Sequence, residues 1–217
     1  MKKPSPDQIA ELQKKLFLPP DIRIRHYLGT GGRAHVFSAQ LGMDDVIAKV
    51  YHAETVAKYQ HRYGVDIAEF EYRRNLKLFE LESIQKYIAQ PYRVYPASGE
   101  YSHCMIQEHI SGKTLKDLFV ERGYLPQDVI DAGYRIIRAA EAIGVHDLDI
   151  SSKNVMVIDQ AGALIPRLYD FNLMPQHLHA PNPFLWLTIR LGLRGKSHRD
   201  YRNLKKWELR GQHHRDS

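Results

Sequence analysis

Two short apolar runs, residues 155–158 and 163–169, flank the tetrapeptide Asp159-Gln160-Ala161-Gly162 and constrain this chain more than any other feature. Short apolar runs joined through a turn of this composition read as a β-hairpin. Polar side chains crowd both of its ends. Ahead of it stands Gly144-Val145-His146-Asp147-Leu148-Asp149, then Ser151-Ser152-Lys153-Asn154; behind it comes Asp170-Phe171-Asn172. Taken singly, Asp149 and Asp170 read as turn caps, the ordinary work of loop aspartates. Taken with Asn154, they read as a chemical constellation.

The rest of the chain supplies a setting for the hairpin. Ser5, Pro6 and Gln8 mark a helix start, and Ile9, Leu12, Leu16 and Phe17 come after it at helical spacing until Pro19-Pro20. Residues 22–25 alternate in the rhythm of a half-buried strand, and the cluster Gly29-Thr30-Gly31-Gly32 comes next. Strands are expected at 34–40 and 46–51 about a turn at 42–45, and helices over 54–88 with a break at Gly64. Residues 91–96 and 105–108 read as extended. Ser111-Gly112-Lys113-Thr114 is expected to open a helix reaching Val120, residues 127–143 form a longer one, and Asn182-Pro183 caps a C-terminal helical region. Strands, helix and strands followed mostly by helices make an α+β fold in two lobes. The expected boundaries are a helix at 1–21, a first lobe at 22–110 and a second at 111–217.

With 217 residues and 43% apolar content, the chain suits one large domain or two small lobes. Cys104 is the single cysteine, so no internal disulfide is possible, and it reads as an apolar filler in a strand. The N-terminus has no apolar run of the secretory kind, and residues 184–193 are too short and too polar to span a bilayer, so a cytoplasmic protein is expected. Charge is unevenly spread. Residues 190–217 hold nine Lys and Arg against three acidic residues, which is the whole of the net +6.

The order Asp149, Asn154, hairpin, Asp170-Phe171 resembles the catalytic and metal loops of the protein-kinase-like fold. Upstream, Gly29, Gly31 and Gly32 resemble the glycine-rich turn that covers nucleotide phosphates, where a missing Cβ lets backbone approach oxygen. Lys49 in Val46-Ile47-Ala48-Lys49-Val50 resembles the lysine that contacts the α- and β-phosphates. The resemblance implies ATP and Mg²⁺ as cofactors. It makes Asp149 the acceptor-facing carboxylate, Asn154 and Asp170 the metal ligands, and Glu71 the partner of Lys49, with Glu69 as its competitor. Glu108 falls in the segment that meets adenine through backbone groups.

Departures from the pattern narrow the subgroup. Asp147-Leu148-Asp149 replaces His-Arg-Asp, so a phosphorylated loop has no arginine receptor there. Ser151 stands where lysine is usual, as in RIO-type kinases, and Asn172 stands for glycine. His146 reads as an ordered structural histidine. The short stretch after Asp170 resembles compact bacterial lipopolysaccharide kinases of the 3-deoxy-D-manno-octulosonic acid type, hence a bilobal fold with a truncated helical second lobe. A saccharide or glycolipid acceptor is implied, a protein acceptor of RIO-like type is the alternative, and an inactive nucleotide-binding regulator is a third reading. The apolar and basic stretch 184–210 suits either peripheral contact with an anionic membrane surface, on the inner-membrane side, or the packed base of the second lobe. No recognised module points to a specific nucleic acid.

Overall fold

A computed structural model describes residues 5–96 and 99–215, the side chains of Gln8 and of 212–215 excepted. The Gln8 capping position therefore lies outside the described side chains. The chain divides into two compact units. One holds the residues up to 76 together with 90–109; the other holds 77–89 and the residues from 110 onward.

The first unit is a five-stranded antiparallel sheet in the order β1-β2-β3-β5-β4. Its strands are β1 Ile22–Thr30, β2 Ala34–Leu41, β3 Asp44–Tyr51, β4 Pro91–Tyr95 and β5 Cys104–Glu108. Phe37, Val46, Ala48, Cys104 and Ile106 are buried together on one side, and Leu12 of α1 (Pro6–Lys15) and Leu16 just after it pack against them. Burial pushes the Cys104 thiol up to about 12, as suits an inert core residue. Helix α2 (Ala53–Tyr63) ends where Gly64 takes a left-handed conformation (φ 66°), and α3 (Ile67–Phe79) comes after it.

In the second unit, α4 (Leu115–Arg122), α5 (Gln127–Ala142), α6 (Pro183–Arg190) and α7 (His198–Arg215) accompany a small sheet in the order β6-β7-β8. Strands β7 (Val155–Gln160) and β8 (Ala163–Leu168) form the hairpin, tightened by positive φ at Ala161 and Gly162. Val129, Ile130, Ile136, Ile137 and Ala140 give α5 a buried face that repeats with the helical period. Leu148, Val155, Leu168 and Phe171 join the same core.

Three sequence expectations change. The helical stretch expected over 54–88 stops at Phe79, with only a single 3-10 turn at Gln85–Tyr87 beyond it. The helix expected to open at Ser111 opens at Leu115, because Lys113–Thr114 forms a two-residue strand, β6, paired with β7. Thr114 then caps α4 in a reciprocal capping box with Asp117. Glycine is required just before β6: a Cβ at Gly112 would lie 2.5 Å from the Val157 carbonyl oxygen. Residues 77–89, assigned by sequence order to the first lobe, instead group with the second unit. Ile84, Tyr87 and Ile88 enter its core, and the Ala89 amide donates to the Leu168 carbonyl.

Candidate functional site

In the first unit a buried charged pair joins β3 to α3. Lys49, flanked by Val36 on β2 and Met105 on β5, places its Nζ 2.6 Å from Glu71 Oε1; the two side chains are only 8% and 2% exposed. Tyr51 Oη donates to the other carboxylate oxygen at 2.6 Å, so both Glu71 oxygens are engaged. Desolvating two charges is costly, and such a pair is weak evidence for stability, so its retention out of water calls for another reason. Glu69, the competing partner, pairs with Arg73 one turn along α3.

The glycine cluster forms the β1–β2 corner. Gly29 pairs with Val36 and the Gly31 amide donates to the Ala34 carbonyl at 2.9 Å. The fold itself does not demand these glycines. None of Gly29, Gly31 and Gly32 has positive φ, and an added Cβ would meet open space at Gly29 and Gly32 and only an ordinary contact at Gly31. His35 and His52 meet edge to face beside this corner with ring centroids 4.4 Å apart. Burial, then the neighbouring His52, lowers the His35 pKa. Glu108 has a structural duty: its carboxylate accepts from the Gln90 amide at 3.0 Å.

In the second unit the hairpin register decides the geometry. Val155 pairs with Leu168, and the Tyr169 amide donates to the Asn154 carbonyl at 3.1 Å, so Asn154 and Asp170 emerge at the same end of the hairpin. The Asn154 amide nitrogen donates at 3.0 Å to both the Asp149 carbonyl and Asp149 Oδ2. Asp149 is 35% exposed, and Asp170 is partly buried with Phe171 and Leu173 buried behind it. Among the described residues, no three His, Cys, Asp or Glu side chains gather as a metal-binding group.

The loop carrying Asp149 is strained and needs outside support. Asp147 and Asp149 both adopt left-handed conformations (φ 58° and 64°), which β-carbon-bearing residues avoid. The start of α7 supplies the brace. Asp200, wholly buried, accepts from the amides of Leu148 at 2.7 Å and Ile150 at 2.9 Å, and Asn203 Nδ2 donates to the Ile150 carbonyl at 3.0 Å. Burial pushes the Asp200 carboxyl up to about 6, against the lowering effect of those two amides. Arg199 brings its Nε to 2.8 Å from Asp147 Oδ1 and Nη2 to 3.4 Å from Asp149 Oδ1. These are ionic contacts, since neither nitrogen is aligned for a hydrogen bond.

Asp147 fastens the segment beyond Asp170. Its Oδ2 accepts from Asn172 Nδ2 and from the Gln176 amide, each at 2.8 Å, with its carboxylate only 1% exposed. Asn172 also donates to the Met174 carbonyl and accepts from the Met174 amide. Its side chain is thus a strut, and the left-handed backbone that would suit a glycine substitute falls at Asp147 and Asp149 instead. His146 contacts Ser197 Oγ at 3.3 Å and lies edge-on to His177, a structural placement.

Sequence reasoning gave Arg199 and Asp200 no role at the site and missed the bracing duty of Asp147. Arg199-Asp200 looks like any polar helix start, and about fifty residues separate it from the loop it holds. Chemically, a half-exposed carboxylate oriented by an amide and a nearby guanidinium can hold a hydroxyl and take its proton. The amide oxygen and carboxylate types that Asn154 and Asp170 bring to one end of the hairpin are hard oxygen donors of the kind a cation such as Mg²⁺ takes.

No protein-family model matches the chain, and no curated protein matches it. Among solved structures it is similar to a crystal structure of Rad53 1-466 in complex with AMP-PNP, with TM-score 0.53 and 19% identity, covering 77% of this chain and 42% of that one. The chain thus spans less than half the length of that protein. The likeness is one of fold: α+β, with an antiparallel sheet in one part and helices in the other, in the protein-kinase-like arrangement.

Proposed function

We propose that the chain is an ATP-dependent phosphotransferase that moves the γ-phosphoryl group of ATP to a hydroxyl acceptor. The observation that carries this reading is the buried Lys49–Glu71 pair, a charge kept out of water on a fold whose solved neighbour was crystallised with AMP-PNP. Lys49 is suited to the α- and β-phosphates, with Glu71 and Tyr51 fixing its position. Gly29, Gly31 and Gly32 form a corner that internal packing does not require to be glycine. Close approach of phosphate oxygens to its amides gives such glycines a purpose.

The donor types that flank the hairpin fit Mg²⁺. Asn154, its nitrogen committed to Asp149, would offer its amide oxygen, and Asp170 would add a carboxylate. When bound, the ion would neutralise phosphate charge. Asp149 then orients the acceptor hydroxyl and takes its proton, while Arg199 and Asn154 keep the carboxylate in place.

For the acceptor, a lipopolysaccharide-type saccharide is favoured, in the cytoplasm at the inner face of a membrane. Residues 169–182 alone join β8 to α6, and Asp147 pins part of that stretch, leaving little chain for a peptide-docking segment. Ser151 supports a second reading, a RIO-like protein serine/threonine kinase. Incubation with labelled ATP and cell extract, followed by separation of lipid and protein fractions, discriminates the two; label is expected in the saccharide or lipid fraction. Asp149→Asn should slow transfer by about 10²–10⁴-fold, and chelation of Mg²⁺ should stop it. Transfer undiminished in Asp149→Asn overturns the mechanism, and no turnover by the parent protein favours a nucleotide-binding regulator.

A further inference from the structure

Phosphotransfer leaves one prominent surface of the second unit without a task. Helix α6 is capped by Asn182, whose Oδ1 accepts from the Leu185 amide at 2.8 Å, and Leu185 is its one fully buried residue. Phe184 (77% exposed), Trp186, Leu187, Leu191 and Leu193 (76% exposed) all project to solvent. Single exposed apolar side chains are ordinary on a protein surface; five within ten residues, two of them aromatic, make a patch that signals an interaction.

The electrostatics of the patch narrow its partner. Arg190, Arg194 and Lys196 lie within or just after it, and no acidic residue occurs between Asp170 and Asp200. Arg190 lies over the Trp186 ring, 4.9 Å from its centroid, so cation and aromatic face occupy one place. Helix α7 behaves differently. Leu204 is buried against Gly133 of α5 and Trp207 meets Phe119 edge to face, which commits that helix to the unit's own core. The packed-base reading thus holds for α7 and fails for α6 and the turn after it. A partner for this surface must be apolar and anionic in the same layer. Nucleic acid offers the charge without an apolar bed, whereas an anionic bilayer offers both, with headgroup-level positions that suit Trp and Phe. No helix among the described residues is long and apolar enough to cross a membrane.

We infer that residues 184–196 form an interfacial surface that docks the protein on an anionic lipid bilayer. Phe184, Trp186, Leu187, Leu191 and Leu193 enter the headgroup boundary, and Arg190, Arg194 and Lys196 meet lipid phosphates. This gives the membrane-side location proposed above a docking surface and is separable from phosphotransfer, because binding is read with no nucleotide present; Asp149→Asn leaves it intact.

The test uses the full chain and vesicles of phosphatidylcholine with or without phosphatidylglycerol. Co-sedimentation is expected with the anionic vesicles and is reversed by salt. In a Trp207→Phe background Trp186 is the only tryptophan, and its emission should shift to the blue on binding. Phe184→Ser with Leu187→Ser and Leu193→Ser should weaken binding by at least about tenfold, and each of Arg190→Gln, Arg194→Gln and Lys196→Gln by about fivefold. Thermal unfolding without vesicles should stay at the parent value, since these side chains are exposed. The single change Phe184→Ser serves as the milder probe if the triple variant unfolds early. The inference is overturned by absence of binding to anionic vesicles, by equal binding to neutral ones, or by serine variants that bind like the parent. Self-association of the parent that the serine changes abolish would assign the surface to a second copy instead.

Discussion

The two charged centres of this protein are built by opposite means. Lys49 and Glu71 sit on a strand and a helix in relaxed backbone, and their problem is solvation: both charges are withdrawn from water and satisfy each other with help from Tyr51. Asp149 keeps partial access to water, and its problem is backbone strain, with left-handed residues at 147 and 149. The first centre needs one partner of matched charge. The second needs a distant helix to hold its peptide groups, which Asp200 and Asn203 do. A charge on a regular element can be settled by pairing, whereas one on a strained loop requires a scaffold from elsewhere in the chain.

The contrast can be broken most sharply at Lys49. Lys49→Met strands Glu71 as a buried charge and should cost about 3–5 kcal/mol in urea unfolding. Adding Glu71→Leu should recover most of that loss without restoring ATP-dependent turnover. A double variant as unstable as the single one would show that the pair is not the source of the cost.

Next comes the scaffold. Asp200→Ala leaves two buried amides without an acceptor and should cost about 2–4 kcal/mol, with turnover lost alongside. Asp200 also gives this centre a pH signature. Its carboxyl, ordinarily near 3.8, is raised to about 6 in the fold by burial and then by Asp147. The folded state therefore holds the proton more tightly than the unfolded chain. That contribution is fully present below the unfolded value and is lost as pH rises through about 6, a swing of about 3 kcal/mol. Asp200→Asn should flatten the stability profile between about pH 4 and 6. Parallel profiles for parent and variant would remove Asp200 as the titrating group.

The smallest effect on the fold is expected at the glycine corner. Gly31→Ala meets only an ordinary contact 3.9 Å from the Ala34 carbonyl and should change stability by less than about 0.5 kcal/mol. Its effect belongs in the KM for ATP, which should rise severalfold. A large loss of stability with unchanged KM would make Gly31 a folding residue.

How far each part was legible depends on the range of the interactions that make it. The hairpin could be read because its turn chemistry is local, and Ala161-Gly162 does adopt positive φ. The corner at 29–32, the strand bearing Lys49 and the Asn182 cap were legible for the same reason. Glu71 was preferred to Glu69 only by resemblance; two residues apart on a helix they point to different faces, and the packing of α3 selects one. Strand β6 was missed because two residues carry no period; it exists by pairing with β7 across the space left at Gly112.

The amino-acid sequence by itself determined the longer elements and their order, the hairpin that brings Asn154 and Asp170 to one end, and the concentration of positive charge toward the C-terminus. These depend on near-neighbour backbone preferences and on simple counting. Tertiary structure alone decided that Glu71 meets Lys49, that α7 braces the Asp149 loop, and that α6 stays open while α7 is packed. Each of those outcomes joins residues far apart in the chain, and the free energy that selects them arises only when whole elements are packed and their side chains leave water together.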